Sequence, residues 1–394
     1  MRLAQLANFM GPTTGGLRGV VEEIGGAHVR AGGERLLITP APATKRTVAD
    51  GTTRLTIASP RLPGRGHAYH VLLRRQAVRD ALEEFGPDLV EVHDQTTLTW
   101  VAAWARQTGV PTVLFSHERF DLVVSELARL RPQSLDRVGS WWSSRLAASF
   151  DVVVCASDFA AAPFTAEGAA NVRRIPFGVD LEQFVPAATS GGPDEGAGGL
   201  ASPVGPWHPD TRRLVFAGRL WPEKAPDVAV DVVAELCAQG LPVELALVGT
   251  GPLEPALRRW VERERLPVHF VGHLTDRRAL ARMVAAAEVA LSPGPRETFG
   301  LSVLEAMACG TPVIVSNSGA SRELLGRGTG HAGANAAEMA QAVTGLLTDP
   351  GTLAQSRVAA RRRAEEFSWA RTDATLARLR CALTSPQPAA DAVP

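Results

Sequence analysis

The chain is predicted to be an α/β protein built on two doubly wound parallel sheets, and three observations lead there. Short apolar runs rich in Val, Ile and Leu alternate with segments of helical periodicity up to residue 185. The same alternation restarts at residue 211. Between them, residues 186–210 are dominated by Gly, Pro, Ala and Ser with little periodicity, and read as a linker. A length of 394 residues suits two domains of ordinary size.

Taken in order, residues 2–7 read as a first buried strand, 11–16 as a flexible loop and 17–25 as the helix after it. Residues 35–39 and 53–57 read as strands, and 71–85 as a helix stopped by Gly86-Pro87. Strands at 89–93, 112–115, 151–155 and 173–175, with a helix at 100–107, complete the first half. The second half repeats the pattern. Strands are expected at 213–216, 243–248, 268–271, 289–292 and 313–315, with helices at 227–239, 253–265, 280–287 and 301–308. Residues 351–381 read as helical with a break near Ser368-Trp369, the helix at 371–384 is expected to pack back on the first domain, and the tail from 385 reads as disordered. Two such sheets present the C-terminal ends of their strands, and hence their ligand sites, to a shared cleft.

Composition bounds the function. Hydrophobic content is 45% and charged content 21%, as in globular proteins with ample core. Forty-one basic residues balance 41 acidic ones, so no global field draws the chain to nucleic acid. Cys155, Cys237, Cys309 and Cys381 are widely spaced, without metal-ligand or disulfide patterning, and read as reduced core residues. No signal-peptide pattern and no run of about 18 apolar residues is present, so the expectation is a cytoplasmic protein, with the inner face of the membrane as its further address.

The richest stretch is Ser292–Ser316, SPGPRETFGLSVLEAMACGTPVIVS. Glu297 precedes a helix start at Gly300, whose exposed N–H groups suit a phosphate. Glu305 lies on the same helix among Leu301, Leu304 and Ala308, and a buried carboxylate needs a partner. Two readings stand side by side. The acids hold the hydroxyls of a ligand whose phosphate sits between them, such as a sugar nucleotide, or Glu305 pairs with a core Arg and Glu297 is a solvated loop acid.

Other strand ends add candidates. Arg219 and Lys224 follow the strand at 213–216, where two cations could clamp a diphosphate or decorate a turn. Gly249 follows the next strand, permitting either close ligand approach or a tight turn. Gly15 and Gly16 offer backbone N–H groups to a phosphate, with Arg18 as a further phosphate or acceptor contact or a surface charge. His93, Asp94 and His117 sit at successive strand ends facing the cleft, as contacts on an acceptor side or as packed core residues. Trp141 and Trp142 with Arg129, Arg131, Arg137 and Arg145 make one basic aromatic patch, and Arg61, Arg65, Arg74 and Arg75 another. These suit an anionic membrane surface or are ordinary solvated arginines.

Together these features resemble retaining glycosyltransferases of family 4, over nearly the whole chain. Glu297-Thr298-Phe299-Gly300 followed by Glu305 is similar to the family's E-x7-E motif. Supporting pieces are FAGRLWPEK (216–224), LVGTGP (247–252), FVGHL (270–274), IPFGVD (175–180) and CASDF (155–159). PDLVEVHD (87–94) and LFSHERFD (114–121) look like the GDP-mannose-dependent α-mannosyltransferases of phosphatidylinositol mannoside and mannosyl glycolipid synthesis.

The resemblance implies a GT-B fold and hexosyl transfer with retention, the donor expected to be GDP-mannose and the acceptor a lipid-linked or small glycoside. It implies that Arg219 and Lys224 hold the diphosphate and that Glu305 binds the ribose. Glu297 would meet the transferred hexose with the backbone of Phe299 and Gly300, and Gly16 the phosphate. His117 would lie near donor sugar and acceptor, and Val271 to Leu274 by the base. No Asp-x-Asp pair is evident, so no metal and no cofactor beyond the sugar nucleotide are expected. The linker's length and the spacing of residues 10–16 depart from many relatives. A UDP-sugar-dependent transferase, an epimerase of the same architecture and a catalytically silent nucleotide-sugar-binding protein are the alternatives.

Overall fold

A computed structural model describes residues 1–10, 15–61, 69–122, 136–166, 168–187 and 205–385. Loop residues 11–14, Arg65, Arg129, Arg131, the side chain of Arg137, most of the expected linker and the tail beyond 385 lie outside the described residues. The chain divides into two compact units, Met1–Pro176 with the chain from Ala370, and Phe177–Trp369. The expected boundary at 185 falls inside the second unit, because residues 177–184 pack there. Phe177 meets the ring of Phe299 edge-on at 5.3 Å, and Arg361 donates to the Phe184 carbonyl at 2.8 Å.

The first unit runs β1 (Arg2–Leu6), α1 (Gly15–Arg30), β2 (Glu34–Ala41), β3 (Lys45–Ala49), β4 (Thr52–Ala58), α2 (Arg75–Phe85), β5 (Leu89–Val92), α3 (Val101–Thr108), β6 (Thr112–Ser116), α4 (Asp136–Ser149), β7 (Val152–Cys155), α5 (Asp158–Thr165) and β8 (Val172–Arg174). Its sheet has the order β3-β4-β2-β1-β5-β6-β7-β8. All pairings are parallel except β3 with β4. That hairpin is absent from the sequence reading. Its turn is Asp50-Gly51, both at positive φ (47° and 70°), the pair that a tight hairpin turn selects. β3 is exposed along its length and carries Lys45 and Arg46, charges that discourage edge-to-edge pairing. Helix α2 starts at Arg75 rather than 71, because Val71 and Leu72 are buried in extended chain and the Leu72 N–H donates to Asn8 Oδ1 at 2.9 Å.

The second unit runs β9 (Arg212–Ala217), α6 (Pro226–Ala238), β10 (Val243–Val248), α7 (Glu254–Glu264), β11 (Val268–Gly272), α8 (Arg277–Ala286), β12 (Val289–Ser292), α9 (Leu301–Ala308), β13 (Val313–Ser316), β14 (Gly330–Gly333), α10 (Ala336–Thr348) and α11 (Pro350–Ala364). Its parallel sheet is ordered β11-β10-β9-β12-β13-β14. Strand β14 and helix α10 were not anticipated. The strand sequence Gly-His-Ala-Gly has no β-branched residue, and its position rests on its ladder to β13. The last helix, α12 (Trp369–Thr384), follows the expected break and returns to the first unit. Among the cysteines, Cys155 and Cys309 are buried, but Cys381 is exposed on α12 and is not a core residue.

Strands buried on both faces account for the continuous apolar runs, and Gln5 in β1, Arg35 in β2 and Glu91 in β5 are buried polar exceptions. Glu91 in β5 is 1% exposed and Arg380 of α12 is 4% exposed. The guanidinium grips the carboxylate with two bonds of 2.7 and 3.1 Å. Gln5 donates to the same carboxylate at 2.8 Å and accepts from Arg35 at 2.7 Å, and Arg35 pairs with Glu22 at 3.0 Å. Removing one partner of a buried pair strands the other charge in a low dielectric. Arg380→Met should therefore cost about 3–5 kcal/mol in chemical denaturation. Adding Glu91→Gln should restore part of it, and a double-mutant cycle with no coupling would refute the pairing.

Candidate active site

In an open doubly wound sheet, ligands meet the C-terminal strand ends where the strand order reverses. In the second unit that point lies between β9 and β12. The loop after β9 carries Arg219 and Lys224, and the loop after β12 carries Glu297, so the order of strands brings the three together. The β9 loop is tied to the β10 loop by backbone bonds from Gly218 to Val248 and from Leu220 to Thr250. Gly249 has a φ of 139°, and a Cβ there would lie 1.9 Å from the Gly218 carbonyl oxygen. Its N–H donates to Gly272 at 2.8 Å. The glycine is thus explained by two protein loops in close contact. Pro222 then opens a 3₁₀ turn, Pro222–Lys224, which ends at Ala225 in the left-handed region with φ 49°.

The charges at this point are paired within the protein. Lys224 Nζ bonds the Glu297 carboxylate, and Arg219 meets Glu223 at 3.0 Å. The Glu297 carbonyl accepts from the Ala320 N–H at 2.8 Å, which fixes the loop. Gly300 caps α9 with φ 101°, leaving the first-turn N–H groups of the helix at the end of this loop. The Phe299 ring is buried against Phe177 and Phe367, so only its backbone faces the loop chemistry.

Glu305, one turn into α9, is bonded by Arg277 of α8 at 2.8 Å. The reading of Glu305 as the partner of an Arg is therefore realised, though Arg277 is itself half exposed. Burial pushes the Glu305 carboxyl above its ordinary range and the Arg277 charge opposes that rise. Val271 lies at the end of β11 and Leu274 in the loop that follows, both half-buried. Sequence reasoning missed Arg277, whose signal was its place in the short loop-to-helix segment after FVGHL.

In the first unit the reversal lies between β1 and β5. Gly15 and Gly16 open α1 directly after this point, and Arg18 is exposed on its second turn. His93 and Asp94 follow β5, but both are buried, at 3% and 4% exposure. They are covered by the protein rather than open at the strand end as expected. Asp94 accepts from the N–H groups of Thr96 and Leu98 and the Thr96 hydroxyl, an anchor for the turn before α3. His93 lies behind His117, with its Nδ1 2.8 Å from His117 Nε2. His117, after β6, is half-buried. Burial, then the charges of Arg35 and Arg380, hold His93 down to about 3. Burial, then His93, holds His117 well below the ordinary imidazole range.

Trp141 is 60% exposed on α4, with the Arg145 guanidinium 6.0 Å from its ring centroid. Trp142 is half-buried and its indole N–H donates to the Gln95 carbonyl. Arg61, Arg74 and Arg75 are exposed. Among the described residues, no group of three or more His, Cys, Asp or Glu side chains is placed to hold a metal ion. Among them no helix is long and apolar enough to cross a membrane.

Two parallel-sheet α/β units, each with its polar side chains gathered at a strand-order reversal, define the GT-B class. Sucrose-phosphate synthase from Thermosynechococcus elongatus matches over 97% of this chain and 99% of its own, with a TM-score of 0.78 at 22% identity. The family described as Glycosyltransferase Family 4 matches residues 14–183, and Glycosyl transferases group 1 matches residues 211–349. A GDP-mannose-dependent alpha-(1-6)-phosphatidylinositol dimannoside mannosyltransferase of Mycobacterium tuberculosis is 38% identical over 95% of both chains. A GDP-mannose-dependent alpha-mannosyltransferase of Mycolicibacterium smegmatis is 30% identical over 82% of both. The chain belongs to glycosyltransferase family 4 and is a glycosyltransferase.

The depressed histidine gives a pH dependence of stability. The folded value, about 3, lies below the ordinary 6.5, so in acid the unfolded chain takes a proton that the folded chain refuses. This contribution is complete above pH 6.5 and should fall by on the order of 1 kcal/mol per unit as pH drops toward 3. Denaturation of His93→Phe between pH 6.5 and 5 should show a shallower loss than the parent, and equal slopes would refute the buried neutral ring.

Proposed function

We propose that the protein transfers mannose from GDP-mannose, with retention of configuration, to a hydroxyl of a mannosylated phosphatidylinositol-type glycolipid. The observation that carries this reading is the Lys224–Glu297 pair in front of the α9 N-terminus, with Arg219 beside it. The names of the mycobacterial relatives support the donor and the lipid acceptor. The exposed Trp141 with Arg145 supports contact with an anionic membrane surface, at its cytoplasmic face.

Each pair in the site joins a cation to an acid, and each side has a use once the donor binds. Arg219 and Lys224 turn to the diphosphate, and the α9 N-terminus adds its dipole. Glu297 is then released to the hydroxyls of the hexose and Glu305 to those of the ribose, with Val271 and Leu274 beside the base. Gly15 and Gly16, at the head of α1, offer N–H groups to phosphate, and His117 meets the transferred sugar and the acceptor. As the bond from the anomeric carbon to phosphate breaks, the electron pair leaves with GDP. The acceptor oxygen bonds the same face of that carbon, and its proton passes to a phosphate oxygen. Fixed cations aimed at the growing charge lower the barrier without reorganising. In this reading the two cations provide the positive charge, and neither a metal nor a further cofactor is assigned a step.

Arg219→Ala and Lys224→Ala should each lower turnover at saturating donor by about 10²–10³-fold with the fold intact by circular dichroism. Retention of parent rates would refute the clamp. Mass spectrometry of products from GDP-mannose and UDP-glucose, with anomeric assignment by NMR, tests donor and stereochemistry, and preference for UDP-glucose would overturn the mannosyl reading. Full activity should persist in excess EDTA.

A further inference from the structure

The transfer scheme gives Glu305 to the ribose and leaves its cation, Arg277, without an assignment. Arg277 is not placed as a cation that only neutralises a buried acid. Arg380 does that for Glu91 in the first unit, with two bonds and side chains 5% and 1% exposed. Arg277 makes one bond to Glu305, at 2.8 Å, and its side chain is 48% exposed. Its Nη1 has no hydrogen-bond acceptor among the described residues.

The guanidinium is fixed all the same. Its carbon lies 5.1 Å from the centroid of the Phe184 ring, and Nε donates to Gln183 Oε1 at 3.4 Å. Phe184 is buried and its carbonyl accepts from Arg361 at 2.8 Å, so the ring is a firm platform. The Gln183 N–H donates to Asp180 Oδ1 at 2.9 Å, which holds the turn before that ring. Arg277 itself opens α8, next to the Asp276 cap that accepts from the Arg278 N–H at 2.8 Å. An Arg anchored on a ring and at two polar partners, yet open over half its surface, is a pre-organised fork of donors.

A nucleoside diphosphate sets the order in which its parts are met. In the proposed function its phosphates lie at the head of α9, and Glu305 stands about 7 Å further along the helix axis. After the ribose taken by Glu305 comes the base, and the group bonded to Glu305 is Arg277. Leu274, beside the base in the same reading, lies three residues before it. Guanine carries two adjacent acceptors, N7 and O6, on one edge, which an Arg fork matches with two parallel bonds. Uracil has no such adjacent pair, and adenine has a donor in place of O6. We infer that Arg277 selects guanine over uracil in the donor, by donating to N7 and O6 of the base as the ribose takes Glu305. The inference rests on the nucleotide placement of the proposed function and adds to it the residue that reads the base.

Titration calorimetry of the full chain with GDP, UDP, inosine diphosphate and 7-deaza-GDP tests this without turnover. The parent should bind GDP about tenfold or more tightly than UDP. In Arg277→Met that ratio should fall to within about threefold, because any loss of Glu305 orientation weakens both nucleotides alike and cancels. Arg277→Lys should keep part of the ratio. 7-Deaza-GDP, with carbon in place of N7, should bind the parent about tenfold more weakly than GDP and bind Arg277→Met no differently from GDP. Inosine diphosphate keeps N7 and O6 and lacks only the exocyclic amine, so it should match GDP within about threefold. The 7-deaza comparison needs no variant, so it decides even if Arg277→Met does not fold. An unchanged ratio in Arg277→Met, or a parent that tolerates 7-deaza-GDP and rejects inosine diphosphate, overturns the inference and leaves the GDP-mannose reading standing. A parent that binds UDP more tightly than GDP fails that reading, and the inference with it.

Discussion

The constraint on which the rest of the molecule depends is the reversal of strand order in each sheet. Strands covered on both faces leave no room for polar side chains along their length, so chemistry collects at their ends. Where β1 is flanked by β2 and β5, and β9 by β10 and β12, successive crossovers run in opposite directions and their loops separate. Glycines 15 and 16, Arg219, Lys224 and Glu297 all follow strands that flank those two points, and His117 follows β6, one strand further out. Their proximity within each unit comes from topology before any side chain is chosen.

Within the second unit the electrostatics are balanced in advance. Lys224 with Glu297 and Arg219 with Glu223 are opposed pairs on the loops after β9 and β12, and Arg277 with Glu305 is a third that joins α8 to α9. A half-buried array of one sign would repel itself and raise the cost of holding the loops in place. Pairing keeps the cations fixed. On the proposed function, an arriving diphosphate would compete with these carboxylates for the cations, and the sugar hydroxyls would take up the acids so released.

Much of this was legible in the sequence, for physical reasons that differ from element to element. The apolar runs of β9, β10 and β13 can only be buried strands, and Glu297 and Glu305 stand out because acids flank an otherwise apolar helix. Of the β3–β4 hairpin only β4 was read, at 53–57, and β3 was overlooked although Asp50-Gly51 announces the turn, because it is exposed throughout and has no apolar face. His93 and Asp94 were placed at a strand end correctly but assigned outward, since a sequence does not show which side of the last strand residue the chain turns to. The contacts of Glu91 with Arg380 and of Glu305 with Arg277 join residues that are distant along the chain. No local pattern encodes them, and only the packed structure shows which cation meets which acid.

The grip of Arg380 on Glu91 spans 289 positions of sequence. Synthesis proceeds from the N-terminus at about 5–20 residues per second, so β5 leaves the ribosome many seconds before its guanidinium exists. During that interval the β5 carboxylate lacks the guanidinium that neutralises it in the folded chain. The half of the protein that is made first is therefore the half completed last, and the whole intervening unit has time to fold while its neighbour waits for the final helix.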